Sequence, residues 1–297
     1  MAFQLDLHRP LAAQLRTLAA AQVEKARLRL SDPGENLDEA IHEARRAIRR
    51  ARAVVAFALP RRDPRRLAFE KALRTAGRAL SPLRDAASAL EALAWLEREA
   101  PGVLPAAIGA RLKAGVLRGH ARAMRDATTR IELAGIALRE AGLASAIVSD
   151  IDAVDPAEGL ARAYRRARRR FADARAEPGP DTVHRFRRRT RTYYWQLELL
   201  RALRPGVMPA ESAEVRRITQ GLGRARDLDM LAQRIARWRD AAAPPVAHAQ
   251  ATIESHAKRL REDALDLSRT AFANPPESER RRWRRQWNAR RASPLTN

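Results

Sequence analysis

Two histidines lead two runs of arginine. His42 opens His42-Glu43-Ala44-Arg45-Arg46-Ala47-Ile48-Arg49, and His184 opens His184-Arg185-Phe186-Arg187-Arg188-Arg189-Thr190-Arg191. The runs lie 142 residues apart (184 − 42). A guanidinium keeps its charge, and its planar fork matches phosphate oxygens. A neighbouring imidazole adds a hydrogen-bond donor that titrates near neutral pH. Crowded arginines depress such a histidine, and a bound phosphate raises it. This is anion-binding chemistry, in two copies.

On a helix at ~100° per residue with His42 at zero, Arg45, Arg49 and Arg52 fall within an arc of ~80°. Ile41, Ala44, Ile48, Ala51 and Val55 form an adjoining apolar stripe, and Arg46 and Arg50 flank the basic face. In the second run His184, Arg187 and Arg191 repeat the column, Arg188 flanks it, and Tyr194 takes the place of Arg52. Phe186, Tyr193, Leu197 and Leu200 form that helix's core side. Stacked like charges repel along a helix unless water or an anion screens them. A single basic face of this kind is usually just solvated; duplication of the whole column favours binding.

The same offset relates Leu80 to Leu222 and Arg84-Asp85 to Arg226-Asp227. Arg84 and Arg226 are candidates for direct anion contact. Asp85 and Asp227 read either as acids near a helix start, favoured by the helix dipole, or as carboxylates that orient the arginines; the first reading is preferred. Arg118, Arg122 and Arg125 share a further helix face beside His120, and Arg118 and Arg122 are added to the candidates for polyanion contact. A metal site is disfavoured by the surrounding cations.

Those side chains need rigid elements to hold them. Alanine, leucine and arginine dominate, and strand-like alternation is missing. Breaks fall at Asp32-Pro33-Gly34, Asp63-Pro64, Ser81-Pro82, Pro101-Gly102, Asp155-Pro156, Pro178-Gly179-Pro180, Pro205-Gly206, Pro244-Pro245 and Pro275-Pro276. An Asp or Ser before proline reads as an N-cap with proline at the first helical position. The expectation is an all-α protein of roughly ten helices, built as two tandem copies of one helical unit. Residues 1–150 form the first bundle and 155–274 the second, with an acidic connector at Asp150–Asp155. Residues 275–297 form an Arg/Trp-rich tail, read as a frayed, solvated helix, or else as a surface that stacks on bases or sits at a membrane.

Composition sets limits. The 297 residues carry a net charge of +23, and all but four of the 58 cationic residues are arginine. That balance points to a polyanionic partner. With no cysteine, disulfides and cysteine chemistry are excluded. No apolar run is long enough to span a bilayer, and the N-terminus lacks a signal-like core, so a soluble cytoplasmic protein is expected. There is no Gly-rich phosphate loop, no H-E-x-x-H, and no Ser or Thr recognisably paired with a base. Binding is favoured over catalysis, with no catalytic residue and no cofactor.

An all-α duplication with one His-led basic helix per copy resembles the CHAD family (conserved histidine α-helical domain). The resemblance rests on Ala40 through Arg52, Ala161 through Phe171, Val183 through Leu199, and Leu222 through Asp229, and spans roughly residues 5–272. It implies two pseudo-symmetric antiparallel helical bundles around a central basic channel. It implies inorganic polyphosphate as partner, with some members found at polyphosphate granules. By the same resemblance, His42, Arg45, Arg49, Arg50, Arg52, His184, Arg187, Arg188 and Arg191 line the channel. Here the second column is shortened by the aromatics after Thr192. A fused triphosphate-tunnel hydrolase domain is not expected, because Glu97-Arg98-Glu99-Ala100-Pro101 lacks the lysine of its E-x-E-x-K pattern. The expected function is non-enzymatic polyphosphate binding. Alternatives are a non-specific nucleic-acid-binding protein, a polyphosphate phosphatase or kinase, and an interaction scaffold.

Overall fold

The structure, a computed structural model, describes residues 3–146 and 154–292. Most of the acidic connector lies outside them. Among the described residues there are eleven α-helices and no strand. They are α1 (Leu11–Ser31), α2 (Leu37–Ala58), α3 (Pro64–Ala79), α4 (Ser81–Glu99), α5 (Ala106–Arg125), α6 (Ala127–Ala146), α7 (Pro156–Ala176), α8 (Pro180–Leu199), α9 (Met208–Ile235), α10 (Pro244–Ala271) and α11 (Pro276–Ala292).

Local chemistry sets many helix starts. The side chains of Asp63 and Asp155 accept from the backbone N–H of Arg65 and Glu158, each with proline at the first helical position. Asn36 does the same for α2, accepting from Glu39. Each cap satisfies a backbone donor that the helix cannot. Gly34 and Gly102, at φ 61° and 74°, take the left-handed turns that only glycine adopts without strain. Ser81 departs from the expected cap: its hydroxyl donates back to the Gly77 carbonyl at 2.9 Å.

Helix α1 packs on α2, and α7 on α8; α3 packs against α6, and α9 against α10. The expected stripes of α2 and α8 are buried, from Ile41 to Val55 and from Phe186 to Leu200. A first core joins both to α1, α3, α6, α7 and the first half of α9. A second core joins Leu93, Leu96, Leu112 and Val116 to Leu228, Leu231, Ile235 and Ile253. Each core therefore draws on both sides of residue 150. Helix α2 also touches α8 and α7 directly. A Cβ on Gly159 would stand 2.8 Å from the Phe57 carbonyl, so glycine permits that approach.

The C-terminal segment corrects an expectation. Helix α11 lies on α7 and is not a frayed tail. Trp283 and Trp287 are buried, and Trp283 meets Tyr164 edge-on at 5.7 Å. Arg282 pairs with Glu211 at 2.8 Å, and Arg284 pairs with Asp155. These tryptophans serve the core and present no face to a base or a membrane. Trp283→Ala should cost about 3–5 kcal/mol of stability, read as a lower urea midpoint; an unchanged midpoint would contradict this packing.

Candidate functional site

Burying the apolar stripes of α2 and α8 leaves their basic columns beside one another. Arg49 of α2 is half-buried, and after burial itself the charges that bear on it most are Arg45, Arg187 and Arg84. Together they push it down to about 9, so it remains protonated at neutral pH. Arg191 of α8 lies well below the ordinary arginine value, through burial first and then Arg49, Arg187, Arg45 and Arg52. The two columns thus interleave across the helix crossing.

Their hydrogen bonding is incomplete. The Nε atoms of Arg45, Arg49, Arg52 and Arg187 are buried without a partner among the described residues. A buried donor left unsatisfied costs ~1–3 kcal/mol, more when charged.

Two arginines are set by small neighbours. Arg45 Nη1 donates to the Gly77 carbonyl at 2.6 Å and to Ser81 Oγ at 3.0 Å, which explains why Ser81 is not a cap. Arg187 lies on Gly223, where an added Cβ would stand 2.7 Å from its Nη2. Positions 81 and 223, like 45 and 187, differ by 142.

The Arg-Asp pairs join this cluster. Arg84 makes a bidentate pair with Glu91 at 2.6 and 2.7 Å. Arg226 reaches Asp85 at 4.0 Å. Asp227 is raised above the usual carboxylate value by burial, an effect opposed by Arg187, Arg226, Arg84 and Arg224. Neither aspartate is a cap or a first-turn acid. Asp227 lies well inside the unbroken α9, and Asp85 lies past the first turn of α4. The preferred helix-start reading is corrected: both carboxylates face arginines.

His42 and His184 are half-buried. Burial is the main cause that lowers each, reinforced by Arg84 and Arg49 at His42 and by Arg226, Arg188 and Arg187 at His184. Both are neutral at neutral pH and offer one N–H.

A cleft with a cavity volume of about 70 Å³, open to solvent, continues from the columns. Arg49, Arg52, Arg188 and Arg191 line it together with Arg66, Arg166 and Arg189, which the sequence argument did not assign to a site. Arg166 and Arg189 belong to arginine runs legible in the sequence, whereas only the packing of α3 brings Arg66 here. Arg50 is placed differently: its guanidinium is sandwiched between Phe3 and Trp195, at 4.7 and 4.6 Å from the ring centroids. Arg118 and Arg122 are exposed on α5 and do not line the cleft. Their neighbour His120 meets Asp38 Oδ2 at 2.8 Å. Among the described residues no group of three or more His, Cys, Asp or Glu could hold a metal ion.

The family model of the CHAD domain matches residues 11–207, ending just before α9. The chain belongs to the CHAD-domain family. The crystal structure of the CHAD domain from the plant Ricinus communis is similar, with a TM-score of 0.61 and 19% identity, covering 93% of this chain and 96% of that one. That likeness establishes a shared fold. No curated protein matches the chain. No described helix is long and apolar enough to cross a membrane.

Both imidazoles titrate below the ordinary 6.5 in the folded chain. As pH falls below that value the unfolded chain binds protons first, so stability should fall. Denaturant midpoints measured from neutral to mildly acidic pH should show this loss, and a His42→Gln, His184→Gln variant should show less of it. Gly223→Ala should displace the flexible end of the Arg187 side chain at little cost, leaving the melting curve nearly unmoved; a large loss of stability would show that Arg187 cannot give way.

Proposed function

We propose that this protein binds inorganic polyphosphate along the two interleaved columns, without turning it over. The observation that carries this reading is the cleft to which the two columns bring Arg49, Arg52, Arg188 and Arg191 together. A flexible polymer with one charge per interior phosphate can offer an oxygen to each in turn. It demands no base readout, and its binding releases counterions. Family membership supports the same ligand by resemblance. Location at polyphosphate granules would follow from this affinity.

Two observations weigh against the rivals. Stacking on nucleic-acid bases needs open aromatic faces. Trp195, Trp283 and Trp287 are buried, while Arg224 and Arg111 lie over Trp95 and Trp238 at 5.0 and 3.9 Å. Glu70, the one carboxylate lining the cleft, accepts from Arg66 at 2.8 Å and Arg74 at 3.1 Å and so is not free to act as a general base.

Replacing His42, Arg45, Arg49, His184 and Arg187 together by alanine should abolish polyphosphate binding in a filter assay and leave the helical circular dichroism intact. At charge-assisted contacts of roughly 1.5–3 kcal/mol each, even two lost contacts exceed a hundredfold. Wild-type affinity should fall steeply with salt. It should rise as pH drops toward 6, because bound phosphate raises the imidazoles that burial depresses. A folded variant with full affinity, or DNA outcompeting polyphosphate at equal phosphate concentration, would refute the reading.

A further inference from the structure

The two ends of the site differ. At one end the column arginines meet a denser set: the cleft holds seven arginines and a single carboxylate. That carboxylate, Glu70, is engaged by Arg66 and Arg74, and Arg52 stands 3.9 Å away. Arg166 of α7 and Arg189 of α8 extend this end beyond the columns. The charges that bear most on Arg166 are all guanidiniums, and with burial they push it down to about 10. For Arg189 they are three guanidiniums and Glu70.

The offset positions carry no matching charge. At an offset of 142, Tyr194 stands for Arg52, Ala47 for Arg189 and Ser212 for Glu70. Tyr194 is buried, with its ring centroid 4.6 Å from that of Trp195. Trp195 carries the guanidinium of Arg50, with Phe3 on its other side. Trp195 also lines the arginine-rich cleft, so the density of guanidiniums there, and not a separate aromatic wall, marks that end.

Linear polyphosphate is uneven too. An interior phosphate carries one negative charge, whereas a terminal phosphate has a second ionisation near pH ~6, as phosphate monoesters do. Above neutral pH the chain end is the densest charge on the polymer. We infer that the cleft lined by Arg52, Arg166, Arg188 and Arg189 is a subsite for the terminal phosphate dianion, with the columns holding the interior of the chain. This assignment rests on the polyphosphate reading above and adds a preference for free chain ends.

The test uses the full chain and linear polyphosphate of one defined length, either free-ended or esterified at both terminal phosphates. Calorimetry above neutral pH should show the free-ended chain binding about tenfold more tightly, about 1.4 kcal/mol. That preference should fade below pH ~6, where the second terminal oxygen is protonated. In an Arg166→Gln, Arg189→Gln variant both chains should still bind, now with nearly equal affinity, and the melting temperature should not drop. Equal affinities in the wild type, or a preference that survives in the folded variant, would overturn the subsite while leaving polyphosphate binding in place. No binding of either chain to the wild type would overturn both.

Discussion

Guanidinium placed beside guanidinium, partly out of water, is the constraint on which this fold depends. At an effective dielectric of ~20, two charges ~4 Å apart repel by about 4 kcal/mol. Arg49 and Arg191 sit where several neighbouring guanidiniums bear on one site. Arginine tolerates this because its ordinary value is high enough that Arg49, even at about 9, keeps its proton. A lysine pushed down as far would approach neutrality near pH ~7 and lose the charge the site requires. The near-exclusive use of arginine is therefore a condition of the architecture and more than a preference for phosphate.

The repulsion must be offset elsewhere, and two cores do so. On α2, small residues such as Ala44, Ala51 and Ala53 are buried, which lets helices pack closely under the charged face. Gln196 Nε2 donates to the Ala53 carbonyl at 3.1 Å, fastening α8 to α2 beside the column. Leu5 N–H donates to the Leu199 carbonyl at 2.9 Å, and α11 closes over α7. Internal carboxylates neutralise only the edges of the cluster, through Glu91 on Arg84 and Asp85 toward Arg226. The crossing itself is left cationic.

Some of this was legible in the sequence because it depends on local rules. The apolar stripes of α2 and α8, and hence the direction of both columns, follow from helical periodicity alone. The Asp63 and Asp155 caps follow from an acid before proline. What was not legible depends on neighbours distant in the chain. Ser81 looked like a cap because its competing partner, Arg45, lies 36 residues away (81 − 45). Asp227 looked like a helix-start acid because α9 runs unbroken through a Leu-Gly pair, whereas α3 and α4 divide at Leu80 and Ser81. The α11 tryptophans looked available because their partners, Tyr164 and Tyr193, belong to α7 and α8. Arg66 was invisible as a site residue because nothing in its run distinguishes it from Arg61, Arg62 or Arg65.

A site built this way opposes the stability of the fold that carries it. Each unpaired buried Nε and each depressed imidazole favours the unfolded chain, where water solvates them. The balance is restored by any anion that binds only the folded state, which stabilises it in proportion to the logarithm of its concentration over its dissociation constant. On the proposed reading, folding and ligand capture are coupled through the same side chains.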